Sequence, residues 1–234
     1  MTERTAEGRR ATIARVAAND PELTEVDWSS AETVTDAEVA SVAEALVGNT
    51  FVQKLDLYGN EAVTDVGAAK LAAAIPVCCL WNVDVTYTQV TDGKKAELRH
   101  LCTSNAAQLL ATNHPGLDYL NLGRFSTGCT DADFVALAAG LRGNGVVTEI
   151  SFYGNGDITD KSIALLGGMM THGLSRLGAL DLRNMAALTD AGITALSKGL
   201  RDNTALSEIT LRGIDRITDV GMAAFLEVLP HTGI

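Results

Sequence analysis

Leu177-Gly178-Ala179-Leu180-Asp181-Leu182, followed by Leu188-Thr189-Asp190-Ala191-Gly192-Ile193-Thr194-Ala195-Leu196-Ser197-Lys198-Gly199-Leu200, decides the fold of this 234-residue chain. In the first stretch Leu180 and Leu182 flank a single residue, the period-two spacing that puts both on one face of a strand. In the second, Ile193, Leu196 and Leu200 fall on one helical stripe. The phrase between them, apolar-Thr-Asp, occurs seven times: Val34-Thr35-Asp36, Val63-Thr64-Asp65, Val90-Thr91-Asp92, Cys129-Thr130-Asp131, Ile158-Thr159-Asp160, Leu188-Thr189-Asp190 and Ile217-Thr218-Asp219. Its aspartates are 29, 27, 39, 29, 30 and 29 residues apart. A period near 29 is the mark of a solenoid built from strand–turn–helix units.

Each phrase follows a strand-like pair: Val26/Trp28, Leu55/Leu57, Val83/Val85, Leu120/Leu122, Ile150/Phe152, Leu180/Leu182 and Ile209/Leu211. Helical stripes follow at 39–46, 68–75, 134–141, 193–200 and 222–229. Thr or Asp at the start of a helix accepts from its first free amides, and the aspartate sits at the positive end of the helix dipole. Thr35-Asp36-Ala37-Glu38 has the spacing of a capping box. The phrase therefore predicts helix starts rather than catalytic carboxylates. Units laid in one direction give a parallel sheet with helices outside and strands on a concave face.

The pattern L-x-x-L-x-L followed by a helix resembles the leucine-rich repeat, and its long helix-bearing form resembles the ribonuclease-inhibitor-like subclass. The asparagine usual after the strand stands at Asn60 and Asn155. The resemblance implies an α/β solenoid of about seven repeats, with an N-terminal capping helix in residues 1–20 and the repeat domain in 21–234. Within the cap, Thr12 to Ala18 reads as the helix, with Ile13 and Val16 facing inward. Asn19-Asp20-Pro21-Glu22-Leu23-Thr24-Glu25-Val26-Asp27, with Ala43-Glu44-Ala45-Leu46-Val47-Gly48-Asn49-Thr50-Phe51-Val52-Gln53-Lys54-Leu55 further on, resembles the opening of the tropomodulin and leiomodin repeat domain. That resemblance implies binding at the pointed end of actin filaments. The Thr-Asp-x-Gly phrase is also similar to the repeats of F-box substrate receptors, which implies a regulatory module of a ubiquitin ligase; a GTPase regulator is the related alternative.

The net charge of −11 opposes nucleic acid and anionic membrane surfaces, both of which need clustered Lys and Arg. No run of about 20 apolar residues spans a membrane, and the start, Met1 to Arg10, is polar. Cys78, Cys79, Cys102 and Cys129 form no C-x-x-C pair and read as buried free thiols of a cytoplasmic protein. His100, His114, His172 and His231 lack zinc-ligand spacing. No nucleophile–base–acid set and no phosphate loop is present, so the expectation is a non-enzymatic scaffold without cofactor or metal that binds another protein.

The residues between the paired strand apolars are Asp27, Asp56, Asp84, Asn121, Ser151, Asp181 and Thr210. Strands lie about 4.8 Å apart, so Asp27, Asp56 and Asp84 form a row of like charges. The row is either simply solvated, with Lys54 beside it, or a site for basic side chains. One carboxylate per strand does not make a calcium cage. Further out stand Tyr58, Tyr153, Arg183 and Arg212, and on the other side Tyr119. Exposed Tyr and Arg either shield a sheet or anchor an interface. The 39-residue interval carries Lys94 to Leu110, a longer helix with Leu98, Leu101, Cys102, Leu109 and Leu110 apolar. Its Lys94, Lys95, Arg99 and His100 are a solvated face or a contact for an acidic partner. The end, Pro230 to Ile234, shows no polar cap, which predicts a chain continued or covered by another copy.

Overall fold

The computed structural model describes residues 4–31, 34–123, 129–171, 173–201 and 203–234. Strands and helices alternate: α1 (Ala6–Ala17), β1 (Glu25–Asp27), α2 (Asp36–Leu46), β2 (Lys54–Asp56), α3 (Asp65–Ala74), β3 (Asn82–Asp84), α4 (Asp92–Ala111), β4 (Tyr119–Asn121), α5 (Asp131–Leu141), β5 (Glu149–Ser151), α6 (Asp160–Met170), β6 (Ala179–Asp181), α7 (Asp190–Leu200), β7 (Glu208–Thr210) and α8 (Asp219–Val228). All strand pairs are parallel and in the expected register, with Val26, Leu55 and Val83 in line, and Leu120, Ile150, Leu180 and Ile209 in line. The fold is the α/β leucine-rich repeat solenoid that the repeat pattern predicts, with seven strands among the described residues.

The strands form two sheets, β1-β2-β3 and β4-β5-β6-β7, where one continuous sheet was expected. Two compact units correspond to them, the first ending at Ala106 and the second beginning at Ala107. The change falls inside the long interval, where α4 runs 20 residues against 10 to 12 for the other helices.

The paired strand apolars fill the cores. Trp28, Leu57, Val85, Leu122, Phe152 and Leu182 are fully buried, and Phe134 meets Phe152 edge-on at 5.4 Å. Ile209 and Leu211, at the edge of the second sheet, are half-buried. There a short turn, Leu229–His231, folds back, and the Gly233 amide donates to the Asn203 carbonyl at 3.1 Å.

The Thr-Asp phrase does more than cap. The threonines stand at the helix starts and most accept from the first amides; Thr189 Oγ1, for example, accepts from the Ala191 amide at 3.2 Å. The aspartate, however, reaches into the next repeat. Asp36 accepts from Thr64 N (2.8 Å), Thr64 Oγ1 (2.6 Å) and Gly67 N (3.0 Å). Asp131 accepts from Thr159 N (2.9 Å), Thr159 Oγ1 (2.6 Å) and Ser162 Oγ (2.6 Å). Asp65, Asp160 and Asp190 hold Thr91, Thr189 and Thr218 in the same way. The glycine of Thr-Asp-x-Gly now has a cause. A Cβ on Gly192 would lie 2.4 Å from Asp160 Oδ1, and one on Gly221 the same distance from Asp190 Oδ1. Where no preceding aspartate arrives, the position holds an acid instead. Glu38 and Asp133 close capping boxes in the first repeat of each unit.

The N-terminal helix begins earlier than the sequence suggested, at Ala6 with Thr5 as its cap, and buries Gly8, Arg9, Thr12 and Val16, leaving Ile13 half-exposed. The reason is Arg9. Its stem is buried, and its guanidinium reaches Glu38 Oε1 at 2.8 Å and the Arg4 carbonyl at 2.6 Å. Asn19 takes a left-handed φ of 53° and exchanges hydrogen bonds with Thr50, from Thr50 N at 2.9 Å and to Thr50 Oγ1 at 3.0 Å. In α4, Leu98, Cys102, Leu109 and Leu110 are buried as expected, whereas Leu101 is half-buried. Lys94 and Lys95 pair with Glu97 (2.6 Å) and Asp92 (3.7 Å) of their own helix. Cys79, Cys102 and Cys129 are buried and Cys78 is half-exposed, and none of the four is in a disulfide.

Candidate protein-binding faces

The side of each sheet turned away from the helices carries the candidate residues. In the first unit Asp27, Asp56 and Asp84 stand directly beside one another, flanked by the row Glu25, Lys54 and Asn82. In the second, Asn121, Ser151, Asp181 and Thr210 align, beside Tyr119, Glu149, Ala179 and Glu208.

A second task for the polar row was not legible in the sequence. Five of its side chains fold back onto the amide two residues on: Asp27 accepts from Ser29 N (2.9 Å), Asp56 from Tyr58 N (2.8 Å), Asp84 from Thr86 N (2.8 Å), Asn121 from Gly123 N (3.0 Å) and Asp181 from Arg183 N (3.0 Å). These are Asx turns, and they end the strands. The third residue past the polar row is left-handed in six repeats: Ser30, Gly59, Tyr87, Gly154, Asn184 and Gly213, with φ between 49° and 74°. Glycine and asparagine adopt that conformation readily, while a bulky residue there is an outlier. Tyr87, at φ 55°, is the outlier, and aligning the repeats would have singled it out.

In the first unit Tyr87 and Tyr58 meet edge to face at 5.1 Å, with Tyr87 67% and Tyr58 40% exposed. Arg4 Nη2 sits 2.7 Å from Asp27 Oδ2 and 2.9 Å from Ser29 Oγ, a contact the sequence did not suggest. The row's electrostatics differ from strand to strand. Burial pushes the Asp27 carboxyl up, but the Ser29 hydroxyl, Arg4 and the Ser29 amide outweigh it and hold it below the usual range. Burial dominates at Asp56, and with the neighbouring charges of Asp84 and Asp27 it raises that carboxyl despite the Tyr58 amide.

In the second unit the Arg183 guanidinium forks onto Asp181, Nε to Oδ1 at 2.9 Å and Nη2 to Oδ2 at 2.7 Å, and lies 5.0 Å over the Tyr153 ring. Ser151 Oγ donates to Asp181 Oδ2 at 3.3 Å. Tyr119 lies close enough to contribute to the Arg183 environment. Ala179 stands between Glu149 and Glu208, and the short side chain leaves a hollow of about 190 Å3 lined also by Asp181 and Arg183. Arg212 is exposed beyond β7. The nine candidates therefore fall into two groups, Asp27, Asp56, Tyr58 and Asp84 on one sheet and Tyr119, Tyr153, Asp181, Arg183 and Arg212 on the other. Among the described residues no group of three or more His, Cys, Asp or Glu side chains is placed to hold a metal, and no helix is long and apolar enough to cross a membrane.

A family model described as a leucine-rich repeat matches residues 48–72. No curated protein matches the sequence. Similar solved structures include the actin-binding site 2 of leiomodin-1, at 17% identity over 97% of this chain and 89% of that chain, with a TM-score of 0.33. A Rad7–Elc1 complex from yeast matches at 13% identity over 95% of this chain and 64% of that chain, TM-score 0.47. The C-terminal domain of a Caenorhabditis elegans tropomodulin matches at 16% identity over 95% and 92%, TM-score 0.29.

Proposed function

We propose that this chain, a leucine-rich repeat protein, is a non-enzymatic scaffold that binds another protein across the open faces of its sheets. The observation that carries the reading is the pairing of exposed aromatic and charged side chains on those faces, Tyr58 with Tyr87 and Tyr153 with Arg183, on strands whose backbones are fixed by repeat-to-repeat hydrogen bonds. Tyr and Arg supply large contact area at low entropic cost, and a rigid sheet pre-organises them. The working location is the cytoplasm, in keeping with four cysteines outside any disulfide.

The test is partner capture with paired variants. Tyr58→Ala with Tyr153→Ala is expected to lose partners that a helix-side variant, Glu44→Gln, retains; an unchanged partner set in both would remove the open faces as the site. Actin is the finer candidate, suggested by the N-terminal sequence motif. In this fold Asn19 and Asn49 of that motif tie α1 to the second repeat, so the motif supports the fold first. Slowed pointed-end elongation at sub-stoichiometric protein supports the actin reading, and unaltered assembly at high concentration eliminates it. A ubiquitin-ligase or GTPase-regulator role is the remaining alternative and would show as an adaptor subunit or GTPase among the captured partners.

A further inference from the structure

Tyr153 stands two residues past Ser151 of β5, and Arg183 two residues past Asp181 of β6. Arg183 thus forks onto the aspartate of its own strand and covers the tyrosine of the preceding repeat. The first unit repeats this arrangement with one member missing. Tyr58 stands two residues past Asp56 of β2, and Thr86 stands two residues past Asp84 of β3. The backbone agrees at both places: Thr86 N donates to Asp84 at 2.8 Å as Arg183 N donates to Asp181 at 3.0 Å. The first unit therefore presents the carboxylate and the ring of an arginine seat, with threonine where the arginine stands in the second.

We infer that the open face of the first unit is a receptor for an arginine side chain of a partner's basic segment, held by Asp84 and Asp56 against Tyr58. Four further observations support it. A guanidinium already occupies the neighbouring carboxylate, since Arg4 pairs with Asp27. Asp56 lies between two like charges in a half-buried position, and a cation placed there removes a repulsion. Tyr87 keeps a left-handed backbone that its neighbours assign to Gly, Asn or Ser, and strain of this kind is kept where a side chain is used. Its ring completes an aromatic rim with Tyr58, and guanidinium stacks on aromatic faces where ammonium does so less well. This inference rests on the protein-binding reading and adds the chemistry of the bound side chain.

The experiment is calorimetric titration of the full chain with a synthetic peptide of alternating arginine and glycine, and with lysine and citrulline versions. Wild type is expected to bind the arginine peptide more tightly than the lysine peptide and to ignore the citrulline one. Thr86→Arg fills the seat from within, as Arg183 does, and is expected to weaken binding about tenfold. Asp84→Asn should do the same, while Ser41→Arg, which adds the same charge to exposed helix α2, should change affinity much less. Arg4→Ala should leave binding intact or strengthen it. Circular dichroism and melting separate these effects from misfolding. Equal binding of the arginine and lysine peptides, or a loss with Ser41→Arg as large as with Thr86→Arg, shows bulk charge attraction only and overturns the inference. Absence of arginine binding overturns it too, yet leaves the wider reading to the capture experiment, where the second unit's face reads out independently.

Discussion

Replacing Asp131 by asparagine tests the reasoning about repeat coupling most directly. The carboxylate accepts three hydrogen bonds, two from Thr159 and one from the Ser162 hydroxyl, all between 2.6 and 2.9 Å and part-buried. An amide of the same size keeps one acceptor and points an NH2 group at a donor. The bonds from Thr159 N and Ser162 Oγ to Oδ1 lose their charge and the one from Thr159 Oγ1 to Oδ2 is lost or reversed, which costs about 2–3 kcal/mol after exchange with water. For a chain of this length that is a fall of about 5–10 °C in melting temperature. The pH dependence carries a sign. Burial pushes the Asp131 carboxyl up, but hydrogen bonds from Ser162 and Thr159 outweigh it, so its folded pKa lies below its ordinary value. Stability from such a group is fully present above the unfolded pKa of about 3.9 and is lost as pH falls through the folded pKa. The gap between wild type and Asp131→Asn should therefore be widest at neutral pH and close below about pH 4. Thermal melts of both proteins across pH decide it. A gap no larger than that of Asp157→Asn, an exposed loop substitution, refutes the coupling role, as does a gap undiminished at the lowest pH where both fold.

The same ladder predicts opposite outcomes for two glycines. Gly192→Ala should destabilise by about 1–3 kcal/mol because its Cβ meets Asp160 Oδ1 and Leu188 Cδ1. Gly168→Ala, in open space within α6, should stabilise by about 0.5–1 kcal/mol; urea unfolding checks both. Arg9→Ala should cost about 2–4 kcal/mol by removing a buried stem and leaving Glu38 Oε1 without its guanidinium at the start of α2, read by the same unfolding curves. Burial pushes the Cys78 thiol up to about 11 and the Cys102 thiol up to about 12. At pH 7 iodoacetamide should therefore label Cys78 slowly despite its partial exposure, and Cys102 only once the chain unfolds; mass spectrometry of the peptides reads both.

The sequence by itself determined the repeat. Period-two apolar pairs and a helical stripe can each bury their apolar side only against a neighbouring copy, so the 29-residue spacing dictated strand order, direction and register. It also identified which side chains would share a face, because alternation along a strand leaves no other choice: Asp27, Asp56 and Asp84 stand in line as the pattern required. What it left open depended on contacts between residues about 30 apart or on backbone torsions, neither of which leaves a local periodicity. The Thr-Asp phrase read as a helix cap, yet its aspartate serves the following repeat, and only the packed stack shows why a glycine sits two residues after the aspartate. The polar strand row read as surface, yet its aspartates also close the turns that end the strands. Above all, tertiary structure decided which charged candidates already hold one another. Arg183 is seated on Asp181 and Tyr153, whereas the matching position beside Asp84 and Tyr58 holds Thr86, and a short threonine cannot reach the carboxylate and ring that an arginine spans.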